Sequence, residues 1–215
     1  KGSLEKATLQ LFEEADLAVR RTSDVDYRAS VDDPRIADVR ILRPQEIPSY
    51  VEDGLFDIGI AGRDWIEETS SDVVSLGELK YSKVTAKPVK IVVAVPADSD
   101  YEVLSDLPQG VRVSSEYPEL TNRHFAASGI KADVRLSYGA TEAKAPEIVD
   151  AVVDLTETGS ALRAAGLKII DEILTSYTEI FANRESYEDP EKRKAMEQLK
   201  TLLDGVLDAR GRVLT

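Results

Sequence analysis

The sequence predicts an α/β protein built as two lobes, and three observations lead there. Short apolar runs bounded by Gly or Pro alternate with amphipathic helical stretches, the pattern of a sheet flanked by helices. The pattern restarts near residue 90, after a long β-branched run. With 215 residues, 42% of them hydrophobic, the chain can bury the core of one large domain or of two of about 100 residues each.

In chain order, residues 3–15 place Leu4, Ala7, Leu9, Leu11 and Phe12 among charges, an amphipathic helix that Ser3 is suited to cap. Residues 39–42 form a short strand. Pro44 follows at a position suited to the first turn of a helix with Ile47, Tyr50 and Val51 on its apolar side, and Gly54 ends it. Residues 56–61 read as a buried strand, after which Gly62-Arg63-Asp64-Trp65 opens another helix. The run 89–95 is a strand closed by Pro96-Ala97-Asp98. A second series follows, with a strand at 111–114, a helix at 119–128, a strand at 133–136, and an apolar run from Ile148 to Val153 leading to a helix that starts at Ser160. Residues 172–183 are expected to return as one strand. From Asp189 and Pro190 a long helix carries Ala195, Met196, Leu199, Leu202, Leu203, Val206 and Leu207 on one face. The end, 212–215, looks strand-like.

The expected division is residues 1–89 with 172–215 as the first lobe and 90–171 as the second. Each lobe should hold a mixed, mostly parallel sheet, and two crossings should make a clamshell with a ligand-binding cleft. Such an architecture serves binding proteins and enzymes alike.

A formal net charge of −13 disfavours nucleic acid or an anionic membrane as partner. The absence of cysteine excludes disulfides, thiolate catalysis and Cys-ligated zinc. No apolar run approaches the ~18 residues that span a bilayer, and no signal peptide is visible, so a soluble cytoplasmic protein is expected.

The most informative stretch is Asp154-Leu155-Thr156-Glu157-Thr158-Gly159-Ser160-Ala161-Leu162. A buried strand delivers it to a helix N-terminus, where free N–H groups attract anions. Thr156, Thr158 and Ser160 add hydroxyls, and Gly159 permits close approach. Asp154 and Glu157 would repel a bare phosphate, so the ligand should also carry ribose hydroxyls or a divalent metal, as phosphoribosyl pyrophosphate does. The Lys of a nucleoside-triphosphate loop and the spaced glycines of a dinucleotide site are both missing. An ordinary capped helix after a strand accounts for the same residues, and the segment alone does not choose.

Five stretches in order resemble the ATP phosphoribosyltransferase family, which opens histidine biosynthesis: Lys1-Gly2-Ser3-Leu4-Glu5, Arg43-Pro44-Gln45-Glu46-Ile47-Pro48, Asp57-Ile58-Gly59-Ile60 through Gly62-Arg63-Asp64, Glu116-Tyr117-Pro118-Glu119-Leu120, and Asp154 to Leu162. The resemblance covers nearly the whole chain. It implies a two-lobed fold like type II periplasmic binding proteins. It also implies a reaction in which N1 of ATP attacks C1 of phosphoribosyl pyrophosphate and expels diphosphate. Magnesium would ride on the substrate phosphates, with no metal site in the protein itself. Alignment of the base and stabilisation of the departing diphosphate are then the main demands.

By the same resemblance, Thr156, Thr158, Gly159 and Ser160 form the 5-phosphate cradle, and Glu157, Ala161 and Leu162 complete the phosphoribosyl-binding stretch. Asp154 with Asp150 is the acidic pair facing ribose or metal, and Glu142 joins them. Asp64 and Trp65 line the adenine, on which Tyr117 would stack. Lys1, Arg28 and Arg43 are the cationic candidates, with Arg28 for the leaving diphosphate. The family often has Thr or Ser where this chain has Ala161, which leaves more of the phosphate to backbone amides. The family implies a homo-oligomer, a dimer or a hexamer of dimers, with a separate regulatory partner as the alternative in its short form. Details such as Gly139-Ala140-Thr141-Glu142-Ala143 resemble the long form, so a catalytic core without its histidine-binding regulatory domain is expected.

Plainer roles compete at several positions. His124, the only histidine, suits a structural or solvated role. Trp65 reads also as a core residue, and Arg28 as a partner for the neighbouring Asp24, Asp26, Asp32 and Asp33. The rival function is a non-catalytic clamshell that binds a phosphorylated metabolite.

Overall fold

The computed structural model describes residue 2, residues 4–81 and residues 88–213. The first stretch runs through α1 (Glu5–Glu14), β1 (Arg28–Ala29), β2 (Val39–Arg40), α2 (Ile47–Glu52), β3 (Ile58–Gly62), α3 (Arg63–Thr69) and β4 (Val74–Glu78). The middle holds β5 (Val89–Pro96), β6 (Arg112–Ser115), α4 (Pro118–Ala127), β7 (Asp133–Leu136), β8 (Ala151–Thr156), α5 (Ser160–Ala164) and β9 (Leu167–Ser176). β10 (Thr178–Ala182), α6 (Arg184–Glu188) and α7 (Pro190–Val213) complete the chain. Short 3-10 helices cover Leu104–Asp106 and Thr141–Lys144. Two units result: Lys1–Lys87 with Tyr177–Thr215, and Pro88–Ser176.

In the first unit the sheet order is β3-β10-β4, and β10 is antiparallel to both neighbours. A mostly parallel sheet was expected here. β3 and β4 do run in one direction, but the slot between them is filled by the chain returning as β10. Its five residues are all buried. β4 was not anticipated, because Val74-Ser75-Leu76-Gly77-Glu78 has few apolar residues and a glycine at φ +114°. Leu11 of α1, Ile180 of β10, and Leu199 and Leu203 of α7 meet in one core with Leu17, Val31, Leu79 and Tyr81. Val51, Ala61, Ile66 and Phe181 form another.

Helix boundaries follow their caps. Asp189 Oδ1 accepts the N–H groups of Glu191 (2.9 Å) and Lys192 (3.1 Å), so α7 starts where the sequence places it. α7 then continues to Val213, so residues 212 and 213 of the stretch expected to look strand-like are helical, and residues 214 and 215 lie outside the described residues. α2 takes Pro48 in its first turn instead of Pro44, which lies beside a turn closed by Glu46 N–H on the Arg43 carbonyl. α6, also unanticipated, is capped by Asn183, whose Oδ1 accepts the Ser186 N–H at 2.9 Å. The proposed capping residue Ser3 lies outside the described residues.

The second unit has the sheet order β7-β6-β8-β5-β9. β7, β6 and β8 are parallel, and β5 is antiparallel to β8 and β9. Ile91, Val93, Val113, Ala151, Val152 and Val153 are inaccessible to solvent or very nearly so, the continuous apolar runs of strands covered on both faces. β9 stays paired with β5 as far as Ser176, so the strand expected over 172–183 is two strands broken at Tyr177, one in each unit. The unit therefore runs from 88 to 176, not from 90 to 171. Among the described residues no helix is long and apolar enough to cross a membrane.

Gly59 on β3 marks a tight contact. A Cβ there would lie 2.7 Å from Ile47 Cγ2 and 2.8 Å from Cε2 of the fully buried Phe181. Gly59→Ala is expected to destabilise the chain by about 1–3 kcal/mol, the usual cost of overpacking. Thermal denaturation would read this, and an unchanged midpoint would mean that Ile47 and the Phe181 ring give way freely.

Candidate functional site

Three parallel strands bring their carboxyl ends to one edge of the second unit. The register pairs Ser115 with Leu136 and with Val153, so the residues that follow β6, β7 and β8 emerge side by side. From β6 comes Glu116, from β7 the turn 137–144, and from β8 the segment Asp154 to Ser160. The antiparallel β5 supplies Lys90 opposite Thr156, and Lys90 is paired with Glu172.

The loop after β8 is held by its own side chains. Thr156, 9% exposed, accepts the Gly159 N–H on Oγ1 at 2.7 Å. That bond removes the Gly159 amide from the groups available to an anion, so the cradle is narrower than the sequence implies. Gly159 sits at φ +71°, a left-handed conformation that favours glycine. A Cβ there would also come within 2.9 Å of Arg163 Nη1 and 3.2 Å of Ile169 Cδ1. Thr158 donates its hydroxyl to Ser160 Oγ at 3.0 Å, and both residues are exposed. The Ser160 N–H lies 3.4 Å from Thr158 Oγ1, and the amides that follow it in the first turn of α5 have no acceptor within the helix, as at any helix start. Ala161 is exposed, Glu157 is half-buried and Leu162 is packed into the core with Val92, Ala94 and Val152.

Asp154 is the electrostatic centre of the group. Burial first, and the negative charges of Glu142 and Glu116 after it, push its carboxyl from the usual 3.8 up to about 6, against a lowering bond from the Leu155 N–H. Such a carboxylate is ionised at neutral pH but at a cost that burial and two like charges impose. Among the described residues no group of three or more His, Cys, Asp or Glu is arranged to hold a metal ion.

Glu142 stands on the 3-10 helix Thr141–Lys144, whose N-cap Ala140 has φ +48° and whose preceding Gly139 has φ +119°. Asp150 does not join these acids. It lies at the opposite end of β8 and forms a two-pronged ion pair with Arg112, with Oδ1 at 2.7 Å from Nη2 and Oδ2 at 3.1 Å from Nε. That pairing holds its carboxyl below the usual range. It lies four residue steps before Asp154, about 13 Å along a strand at 3.3 Å per residue.

Tyr117, at the N-cap of α4, is 4% exposed, so its ring offers no open face for a base. Nearby, the Thr121 hydroxyl lies 2.6 Å from the Tyr117 carbonyl and 3.0 Å from Ser115 Oγ. In the first unit Asp64 and Trp65 sit in the first turn of α3, 4% and 9% exposed, which makes Trp65 a core residue. Arg28 lies opposite Arg40 in the β1–β2 pair and is exposed. Arg21, Arg35 and Arg40 pair with Glu5, Asp33 and Asp38, whereas Arg28 and Arg43 make no ion pair among the described residues. Lys1 lies outside those residues. His124 bonds Asp171 through Nε2 at 2.6 Å, tying α4 to β9 in a structural role.

Sequence reasoning missed Glu116 as a neighbour of Asp154. It also missed Arg163, whose guanidinium lies over Gly159, and the contacts of Lys144. The signal for Glu116 was its place directly after a strand aligned with β8, which only the sheet order reveals.

Residues 43–205 match the model of the ATP phosphoribosyltransferase family. A protein of that name from Pelotomaculum thermopropionicum is 46% identical over 215 residues, covering 99% of this chain and 73% of its own length. One from Desulforudis audaxviator is 47% identical over the same shares. The ATP phosphoribosyl transferase (HisG:HisZ) complex from Thermotoga maritima contains a chain that superposes with a TM-score of 0.81 over 97% of this chain and 96% of that one, at 24% identity. Tv2483 bound to L-arginine superposes at 0.52, with 14% identity, over 80% and 67%. The two structures speak to the fold.

With Glu142→Gln, one of the charges acting on Asp154 is gone. Its carboxyl is expected to titrate below about 6 yet above the usual 3.8, because burial, the larger cause, remains. NMR titration of the side-chain carboxyl would measure it, and an unmoved midpoint would show that Glu142 does not act on Asp154.

Proposed function

This chain belongs to the ATP phosphoribosyltransferase family and transfers the phosphoribosyl group of phosphoribosyl pyrophosphate to N1 of ATP, releasing diphosphate in the first step of histidine biosynthesis; on that footing we propose that the Pro88–Ser176 unit holds the phosphoribosyl end at residues 154–160. The observation that carries this reading is the meeting of Asp154, Glu142 and Glu116 beside a glycine-turned loop of exposed hydroxyls. Thr158, Ser160 and the first amides of α5 receive the 5-phosphate. Asp154 and Glu142 accept the ribose hydroxyls, with Glu116 behind them.

The chemistry follows from charge. As the C1–oxygen bond to diphosphate lengthens, positive charge gathers on the ribose ring, and fixed carboxylates nearby offset it. The lone pair of adenine N1 forms the new bond to C1, and the electron pair of the broken bond leaves with diphosphate. No base is needed at the outset, because N1 carries no proton.

Arg28 and Arg43, exposed and without ion pairs among the described residues, are the cations for the departing diphosphate, together with Lys1. Magnesium enters with the substrate phosphates. The first turn of α3, with Asp64 and Trp65, serves the adenine through its backbone, since the Asp64 carboxylate and the Trp65 ring are both packed inside. The Thermotoga maritima relative was solved as a HisG:HisZ complex, which supports a separate partner subunit as the alternative to a homo-oligomer.

Arg28→Ala is expected to lower kcat for phosphoribosyl-ATP formation by about 10²–10³, the range for removing one stabiliser of developing charge, with KM for ATP little changed. A variant with full kcat would remove Arg28 from the leaving-group role. In the unmutated chain kcat/KM should fall as pH drops through about 6, where Asp154 takes up its proton. A flat profile from pH 7 to pH 5 would mean that the ionised form is not required.

A further inference from the structure

The turn that carries Glu142 is locked from behind by a lysine. Ser137 and Thr141 are 3% and 2% exposed, and their hydroxyl oxygens lie 2.7 Å apart. Lys144 donates from Nζ to Ser137 Oγ at 2.5 Å. That donation occupies a lone pair of the Ser137 oxygen, so its single proton is left for Thr141 or for the Gly139 carbonyl at 3.4 Å. The Ser137 N–H in turn bonds the Ser115 carbonyl at 2.7 Å, which fastens this hub to the end of β6. The Lys144 carbonyl accepts the Ile148 N–H at 2.8 Å, so both ends of the turn are anchored at one residue.

Helix geometry explains the division of labour. In a 3-10 helix residues three apart eclipse, so Thr141 and Lys144 share the face that meets Ser137, while Glu142 departs about a third of a turn away, toward Asp154. The backbone here includes a left-handed alanine, Ala140, at φ +48°, a conformation that persists only where its surroundings enforce it.

We propose that Lys144 is a positioning residue for the phosphoribosyl site: through Ser137 and Thr141 it fixes the turn that presents Glu142, and so sets affinity for phosphoribosyl pyrophosphate without touching it. The inference rests on Glu142 being a ribose-facing carboxylate, and the variants below separate the two claims.

Calorimetric titration of the full chain with phosphoribosyl pyrophosphate and magnesium reads it. Lys144→Met should weaken binding about tenfold, the lower end of what loss of a supporting residue costs. Lys144→Arg, which keeps a cationic donor, should recover most of the loss. Glu142→Gln should weaken binding by at least as much, and adding Lys144→Met to it should change nothing further, since the two act in one chain of effects. If Lys144→Met does not fold, Ser137→Ala removes the same hub and should give the same tenfold loss. Multiplying effects in the double variant, failure of Lys144→Arg to restore binding, or unaltered affinity in Lys144→Met while Glu142→Gln binds weakly would each overturn the positioning role. Unaltered affinity in Glu142→Gln would overturn the ribose reading itself and the inference with it.

Discussion

The ladder that holds β6 between β7 and β8 is the constraint on which the second unit depends. Pairing of Ser115 with both Leu136 and Val153 fixes where three strands stop, and so fixes which side chains meet beyond them. A slip of one residue in that register would turn Asp154 to the other face of the sheet and bring Leu155 in its place. The covered faces on both sides make such a slip costly, because Val113, Ala151, Val152 and Val153 would all exchange surroundings. Backbone hydrogen bonding and apolar burial thus deliver three carboxylates to one edge, an arrangement their mutual repulsion opposes.

That opposition is visible in Asp154. Its folded pKa lies above that of an exposed aspartate, so the folded chain holds a proton that the unfolded chain has already lost between about pH 4 and pH 6. Stability from this group is therefore greatest below that window and declines as pH rises through it. At neutral pH the fold carries an ionised, half-buried carboxylate with two like-charged neighbours. A ligand offering hydroxyl donors, or a ring that becomes cationic as a bond breaks, relieves the same strain. The left-handed Ala140 and the buried Ser137–Thr141 pair belong to the same economy, in which core packing sustains a site that local preferences disfavour.

Much of this was legible in the sequence because local signals and tertiary context agreed. The strand before Asp154, the glycine at 159 and the helix start at Ser160 are set by neighbours in the chain, and they stand where the pattern places them. Asp150 was misplaced for the opposite reason. Alternation puts it on the same face of β8 as Asp154, but the pattern carries no information about Arg112, which a parallel neighbour supplies. Tyr117 looked like a stacking ring because it is aromatic and precedes a helix, and its burial depends on what packs over it. The antiparallel β10 was hidden as well, since strand direction within a sheet is decided by a chain return more than a hundred residues after β3.

The central claim is that phosphoribosyl pyrophosphate binds where these strand ends meet. Backbone amide chemical shifts of the isotopically labelled chain, followed while phosphoribosyl pyrophosphate and magnesium are added, would test it most directly. The account predicts that the earliest and largest shifts fall on residues 156–162, on Glu116 and on residues 139–142. Shifts confined to other surfaces, such as the acidic groove lined by Glu5, Glu13, Glu14 and Asp24 along α1, would contradict it.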